Sequence, residues 1–231
     1  MNYISVIIVI LFSVILTLEN VSILLAQQSN PGILASNTSP YGTEYSDWIG
    51  KWWQWNIALP KETHLTYNYS ADNCDMGQVG PVWFLAGVVS GRHDRSCTIP
   101  SDKAVLLPLE TGECDYGEKA IASDSDLVTC ATEGNDYAVI SASVDGNTIK
   151  DPLSYRTQSG FFNISVPSNN IFEEPPGVYK AYADGYFLFI EPLSPGEHVV
   201  KITSNINNPF NKEYSHSKDL TYRLNVINAS R

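Results

Sequence analysis

The chain has 231 residues, of which 43% are hydrophobic, and its 25 acidic residues against 14 lysines and arginines give a formal net charge of −11. Because phosphate binding needs a basic surface and the basic residues here are scattered, nucleic acid is excluded as a partner. The length allows one large β domain or two small ones with a substantial hydrophobic core.

The first 26 residues differ in composition from the rest of the chain. A long uncharged apolar run over residues 4 to 18 is followed by Glu19 and by a second apolar patch, Val21 to Ala26. This pattern predicts a signal peptide over residues 1 to 26. An uncleaved N-terminal anchor is the alternative, because about 20 apolar residues span a bilayer. Both interpretations place the remainder extracellularly or at the cell surface, with membrane contact only through an uncleaved leader.

The polar residues 27 to 42 contain proline and glycine and predict a flexible linker. A single extracytoplasmic β domain is predicted over residues 43 to 231. A division near residue 135 is the alternative, since all four cysteines precede that point.

The cysteines are even in number, with no C-x-x-C pair, and lie at positions Cys74, Cys97, Cys114 and Cys130. In an exported chain this pattern favours two disulfides over a zinc site. Three connectivities are open, and we favour Cys74–Cys97 with Cys114–Cys130, because short loops close at the lowest entropic cost.

Four Asn-x-Ser/Thr sequons follow the leader, and in a host that glycosylates they are candidate surface sites. They begin at Asn37, Asn68, Asn163 and Asn228.

One helix is predicted between a cap at Thr43 or Ser46 and Pro60, which ends it. Tryptophans recur at helical spacing on one face, at Trp48, Trp52 and Trp55. The favoured interpretation is a helix packed through its indoles onto a sheet. The alternative is an aromatic carbohydrate platform, for which Trp53, off the main stripe, and Trp48 are the candidates.

Short apolar or alternating segments with turn signals between them predict a β protein. They cover residues 82–89, 104–109, 137–144, 161–166, 178–183, 186–190, 198–203 and 220–227. Asp145-Gly146 and Asp184-Gly185 are predicted turns. The fold class is therefore mostly β: an antiparallel β-sandwich or jelly roll, with the tryptophan-rich helix packed on it.

Several segments resemble an uncharacterised secreted protein family of environmental archaea and bacteria. These are the tryptophan-rich segment 48–55, the GPVWFLAG segment 80–87, residues 97–100 with 103–104, and the DGY and PGEH segments at 184–186 and 195–198. The resemblance covers most of the exported chain. It implies secretion and carries no known activity, so it assigns no functional residue.

The acidic stretch around Cys114 has two interpretations. It contains Glu110, Glu113, Asp115 and Glu118, with Asp124 and Asp126 nearby. A solvated loop is favoured, and a Ca²⁺ site is the alternative, because clustered carboxylates supply the oxygens that hard cations bind. No other metal and no cofactor is predicted.

The sequence contains neither H-E-x-x-H nor G-x-S-x-G, so a metalloprotease and a serine hydrolase of those types are disfavoured. The chain is predicted to be a secreted or surface-attached binding or structural protein that contacts a glycan or cell-surface polymer without turnover. The alternative is a polysaccharide hydrolase with two carboxylates across a cleft. The carboxylates nearest the aromatic segments are Asp72, Asp75, Glu110 and Glu113.

Overall fold

The computed structural model describes residues 30–67 and 74–229. Residues from Gly32 onward form one compact unit. The predicted leader lies outside the described residues, as do Asn68 and Asp72. Within the described ranges, no helix is both long enough and apolar enough to cross a bilayer.

The described residues form two helices and ten strands. The helices are α1, Tyr45–Ile57, and α2, Asp124–Glu133. The strands are β1 Ile33–Leu34, β2 Val82–Phe84, β3 Gly91–Pro100, β4 Ala104–Asp115, β5 Ala138–Val144, β6 Asn147–Thr148, β7 Arg156–Val166, β8 Gly177–Ile190, β9 Gly196–Ile206 and β10 His216–Ile227.

The strands form two sheets, which confirms the mostly β, sandwich-like fold. Sheet A has the order β1-β8-β4-β2, with β7 also pairing with β8, and sheet B has the order β3-β10-β9-β5-β6. Most neighbours are antiparallel, while β2–β4 and β3–β10 are parallel. Both sheets combine strands from before and after residue 135.

Strand β8 is the centre of sheet A, and its residues 181 to 190 are all buried. Tyr186, Leu188 and Ile190 point into the core shared with sheet B. Phe187 and Phe189, on the opposite face, point into a second core under α1. The alternation of side chains along a strand therefore fills two cores from one element.

The predicted turn at Asp184-Gly185 is wrong, since both residues lie within β8. Asp184 is fully buried and is satisfied by Arg156 Nη2 at 2.9 Å and Asn135 Nδ2 at 3.0 Å. A Cβ at Gly185 would lie 2.5 Å from the Glu110 backbone oxygen. The glycine therefore permits close strand packing, opposite an irregularity in register between Pro108 and Glu110 of β4.

The acidic stretch predicted as a solvated loop is also different in the structure. Residues 110 to 115 form the second half of β4, paired with β8. His93 is part of β3, an edge strand that pairs with β10. Helix α2 was not predicted, although Ser123 caps it by accepting a hydrogen bond from Asp126 N.

The segment predicted as a linker contributes β1 to sheet A. Ile33 and Leu34 pair with Ile190 and Phe189 of β8. β1 is only two residues long because β7 pairs with the earlier part of β8.

Helix α1 covers the outer face of sheet A, as the favoured interpretation predicted. Its N-cap is Glu44 rather than Thr43 or Ser46. Trp52 is 2% exposed, and its indole N–H donates to Leu85 O at 3.0 Å. Trp48 packs edge-on against Phe189 at a centroid distance of 5.8 Å. Each indole therefore buries its ring and satisfies its donor.

Both predicted disulfides are confirmed: Cys74–Cys97 and Cys114–Cys130. The first joins β3 to the segment before β2, and the second joins β4 to α2. The final strand is also confirmed, with one face buried over Leu220, Tyr222, Leu224 and Val226.

The substitution Trp48→Ala should destabilise the fold by about 3–5 kcal/mol, as for other buried tryptophans. The reason is the loss of its ring packing and of the hydrogen bond from Nε1 to Pro40 O, which is 2.9 Å long. Lys51→Ala, exposed on the same helix, should cost less than about 1 kcal/mol. Urea unfolding measures both variants, and equal midpoints would contradict the structural role of Trp48.

Candidate functional site

A cleft opens where the C-terminal half of α1 meets β4 and the start of β10. We call it the aromatic cleft. Its volume is about 170 Å³, and α1 contributes Trp52, Trp53 and Asn56 to its wall. One six-membered ring fills a comparable space, since an engineered cavity of about 150 Å³ holds benzene.

Four aromatic side chains line the aromatic cleft at different depths. Trp52 and Trp53 are 2% and 8% exposed and form its wall, while Tyr67 and Phe172, 49% and 39% exposed, lie at its rim. The Trp53 indole is fixed, because Nε1 donates to Thr111 Oγ1 at 3.1 Å. The rim aromatics present ring surface to solvent, as a stacking platform requires.

The floor of the cleft is a charged network that joins the two sheets. Glu110 of β4 is 4% exposed, and its Oε1 lies 3.0 Å from Lys218 Nζ and 3.3 Å from His216 Nε2 of β10. Ser204 Oγ of β9 donates to Oε2 at 2.6 Å. Both carboxylate oxygens of Glu110 are therefore satisfied, as a buried charge requires.

Two opposing effects set the pKa of Glu110. Burial alone would raise the pKa, but the positive charge of Lys218 and the hydrogen bonds from His216 and Ser204 outweigh it and lower the pKa to about 2. Glu110 is therefore ionised throughout the physiological range. Such a carboxyl cannot serve as the general acid of a glycosidase, which needs a raised pKa.

The network does not form a nucleophilic triad either. Ser204 and His216 each contact Glu110, whereas a triad requires the serine to contact the histidine. Among the described residues that line the cleft, Glu110 is the only carboxylate. The pair of carboxylates that the hydrolase alternative needs is absent from this part of the cleft.

His64 holds the segment that carries Tyr67. It is fully buried, its Nε2 donates to Asn56 O at 2.8 Å, and its Nδ1 accepts from Thr66 N at 3.3 Å. Burial and the nearby charge of Arg95 lower the pKa of His64. The neutral ring is therefore a fixed link between α1 and the rim of the cleft.

Arg95 of β3 ties the neighbouring segments together. It is 5% exposed, and its Nη1 donates to Ala86 O and Gly87 O, each at 3.2 Å, and to Tyr222 Oη at 3.1 Å. Its Nη2 donates to Leu65 O. One guanidinium thus fixes two backbone segments beside the cleft, using several donors in one plane.

A second cluster of polar groups lies further along β4 and contains only carboxylates. Glu113 and Asp115 of β4 meet Glu118 and Glu174 there. Burial, then the charges of Asp115, Glu118 and Glu174, raise the pKa of Glu113 well above its ordinary value. Burial and the charges of Asp115 and Glu118 likewise raise the pKa of Glu174. The four groups are therefore mutually repulsive when ionised.

The structure separates the residues proposed from sequence. Trp53 and Glu110 both line the aromatic cleft. Trp48 is a core residue, because it packs between α1 and sheet A. Asp75 lies in a different surface groove, with Trp83 and Cys97, and Glu113 belongs to the carboxylate cluster.

The remaining acidic residues and sequons lie outside the aromatic cleft and the carboxylate cluster. Asp126 Oδ2 accepts from Ala122 N at the start of α2, and Asp124 pairs with Lys180 at 2.6 Å. The three described sequon asparagines are exposed: Asn37, Asn163 and Asn228.

Sequence reasoning missed the rim aromatics and the cations of the cleft. Tyr67 and Phe172 are 105 positions apart in the chain, and His216 and Lys218 precede the segment predicted as the last strand. The one available signal was the alternation of Lys218 with Leu220, Tyr222 and Leu224. Residues two apart on a strand share a face, so Lys218 lies on the buried one.

One group of three possible metal ligands does not form a metal site. The ligand atoms of Cys114, Glu118 and Cys130 lie within 4.8 Å of one another. Both sulfurs are bonded to each other in a disulfide, so neither is a thiolate able to bind a metal.

No protein-family model and no curated protein matches this sequence. The resemblance to a secreted archaeal and bacterial family therefore stays a prediction. Among solved structures, the chain is similar to a cysteine protease inhibitor from Entamoeba histolytica, at 11% identity and a TM-score of 0.22, over 63% of this chain and 96% of that one. A TM-score this low assigns neither a fold family nor an activity.

Glu110→Gln should be most destabilising at neutral pH, where it leaves Lys218 buried without its counter-charge. The folded pKa of Glu110 is about 2, below the ordinary 4.5. The stability that its ionised form supplies is thus present above pH 4.5 and lost as the pH falls towards 2. The difference in the free energy of unfolding between wild type and variant should narrow by about 3 kcal/mol over that pH window. We call this difference the stability gap.

Urea unfolding at a series of pH values measures this gap. Glu197→Gln, exposed on β9, is the matched control and should show almost no gap at any pH. A gap for Glu110→Gln that is independent of pH would contradict the ion-pair assignment.

Proposed function

We propose that this protein is an extracytoplasmic binding protein that holds a carbohydrate ring in the aromatic cleft without catalytic turnover. The observation that carries the proposal is the combination of two exposed aromatic rings, Tyr67 and Phe172, at the rim of a cleft with a charged floor. Sugars present apolar faces that stack on aromatic rings and hydroxyl groups that bind polar side chains.

The polar groups suit a ligand rich in hydroxyl groups. Asn56 and Thr66 line the cleft beside Tyr67, and both can donate or accept hydrogen bonds. His216 and Lys218 add donors from the opposite side. A ligand with many hydroxyls would add hydrogen bonds to such a set, whereas a purely apolar ligand would add none.

The state of Glu110 supports the proposed lack of turnover. Its pKa is held low and its oxygens are occupied, so it supports binding and orientation rather than proton transfer. The ligand would then be released unchanged, and the glycan of a cell surface or an extracellular polymer is the partner class we propose.

The extracytoplasmic location rests on two features. The described domain contains two disulfides, which form and persist in oxidising compartments. The apolar N-terminal segment supplies the export signal in the predicted scheme.

Tyr67→Ala and Phe172→Ala should each weaken binding of a glycan hit about tenfold, equivalent to about 1.4 kcal/mol, because each removes one stacking surface. Phe210→Ala is the control, since Phe210 is 84% exposed and does not line the cleft. A glycan array identifies the ligand, and calorimetry measures the affinity of each variant.

A polysaccharide-hydrolysis panel on the same protein distinguishes binding from catalysis. We expect no reducing ends to be released. Hydrolysis abolished by substitution of a carboxylate would establish the enzyme instead, and an array without hits would contradict carbohydrate as the ligand class.

A further inference from the structure

Two carboxyl groups of the carboxylate cluster come from different elements and hydrogen-bond each other. Asp115 lies at the end of β4, and Glu174 belongs to the segment that precedes β8. An ionised carboxylate only accepts hydrogen bonds, so two carboxyl groups bond to each other only when one of them is protonated. This contact therefore requires a shared proton.

The burial of the pair also calls for that proton. Asp115 is only 1% exposed, and Asp115 Oδ2 and Glu174 Oε2 are buried with no donor among the described residues. Buried polar atoms are almost always hydrogen-bonded. A proton held between the two carboxyl groups is the donor that this pair lacks.

The charged groups around the pair do not neutralise it. Glu113 of β4 and Glu118, which follows β4, add negative charge. Charged groups on the neighbouring elements are paired with each other or exposed: Lys180 pairs with Asp124 at 2.6 Å, Lys61 pairs with Glu173 at 2.7 Å, and Lys119 is exposed. Within the described residues, no ion pair involves Asp115 or Glu174.

This environment favours the protonated pair in mild acid. Burial, then the charges of Asp115 and Glu118, raise the pKa of Glu174 from the ordinary 4.5 to about 7. Burial likewise raises the pKa of Asp115. The stability that the protonated pair supplies is therefore complete below about pH 4.5 and is lost as the pH rises through about 7.

The segment that carries Glu174 also carries Phe172 at the rim of the aromatic cleft. We call residues 170 to 175 the rim segment. Asn170 is 3% exposed, and its Oδ1 accepts from Phe172 N and Glu174 N, each at 3.1 Å. Tyr179 Oη of β8 donates to Pro175 O at 3.0 Å. One short turn therefore fixes the backbone of Phe172 and the position of Glu174 together.

We propose that the proton shared by Asp115 and Glu174 is a pH switch for the aromatic cleft, which orders the rim segment when present and releases it when lost. Two ionised carboxylates in contact repel each other. Asp115 is held in β4 by its pairing with Ala181 of β8, so Glu174, which lies outside the strands, is the group that moves away.

The consequence for the cleft rests on the proposed function, in which Phe172 is one of two stacking surfaces. With the rim segment ordered, both rim aromatics are in place and the cleft holds its glycan in mild acid. Once the rim segment is released, the Phe172 surface is lost and the glycan dissociates. The switch therefore sets the pH range in which the protein binds.

Hydrogen exchange of the rim segment tests the switch without any ligand. The full exported chain is compared at about pH 5.5 and about pH 8.5, on either side of the transition, with rates corrected for intrinsic exchange. Protection of the Phe172 and Glu174 amides should fall about tenfold at the higher pH, since each unit above the pKa favours the ionised form tenfold. Amides of β10 provide the reference for global opening.

Two substitutions at one position separate the proton from the side chain. Glu174→Gln supplies an amide that donates to Asp115 at every pH, so the rim segment should stay protected at about pH 8.5. Glu174→Ala removes the donor and should expose the segment at both pH values. Glu173→Gln is the matched control, because the Glu173 carboxylate pairs with Lys61 instead. It should show the same fall in protection as wild type.

Glycan affinity at the same two pH values tests the coupling to the cleft. Wild type should bind about tenfold more weakly at the higher pH, the same loss expected of Phe172→Ala. Glu174→Gln should keep its affinity at both pH values. Phe172→Ala should bind weakly at both, because the surface that the switch controls is already missing.

Protection of the rim segment that does not change with pH, or that falls equally in Glu174→Gln, would overturn the switch. Protection that falls while the affinity of wild type stays constant would overturn its coupling to the cleft. A glycan array without hits in mild acid would contradict the proposed function instead. The exchange result would still decide the switch, because it needs no ligand.

Discussion

The burial of β8 on both faces is the constraint on which the rest of the structure depends. A strand that carries Phe187 and Phe189 on one face and Tyr186, Leu188 and Ile190 on the other cannot face water on either side. Each large apolar side chain removed from water contributes about 1.5–3 kcal/mol. Sheet B covers one face and α1 covers the other, so the three layers form around this strand.

The aromatic cleft lies where that layered packing ends. At the register irregularity between Pro108 and Glu110, β4 changes the direction of its side chains. Glu110 then enters the space between the sheets, where Lys218 neutralises it, and Thr111 faces α1, where Trp53 binds it. One local departure from regular pairing therefore supplies the floor and part of the wall of the cleft.

A single segment connects the cleft with the carboxylate cluster. Phe172 at the rim and Glu174 in the cluster are two positions apart, and Asn170 organises both. Its Oδ1 accepts from Phe172 N and Glu174 N, each at 3.1 Å, and its Nδ2 donates to Glu174 O at 2.9 Å. Asn170 therefore fixes the rim of the cleft and one side of the carboxylate cluster together.

The features that could be predicted from sequence depend on residues close together in the chain. Alternation from Leu220 to Val226 gave the buried face of β10, and loop lengths gave both disulfides. The pattern could not distinguish a turn from a close strand contact at Gly185, because the reason lies on β4. The aromatic cleft was also beyond local patterns, since Tyr67, Phe172 and Lys218 meet only after the layers have packed.

Native-state hydrogen exchange of the β8 amides tests the three-layer account most directly. If burial on both faces holds the domain together, amides from Ala181 to Ile190 should exchange only through global unfolding, with the same free energy as the slowest amides of β10. Exchange of β8 and α1 by a lower-energy opening, while sheet B stays protected, would contradict it. The helix and sheet A would then form a separable layer rather than the centre of one cooperative fold.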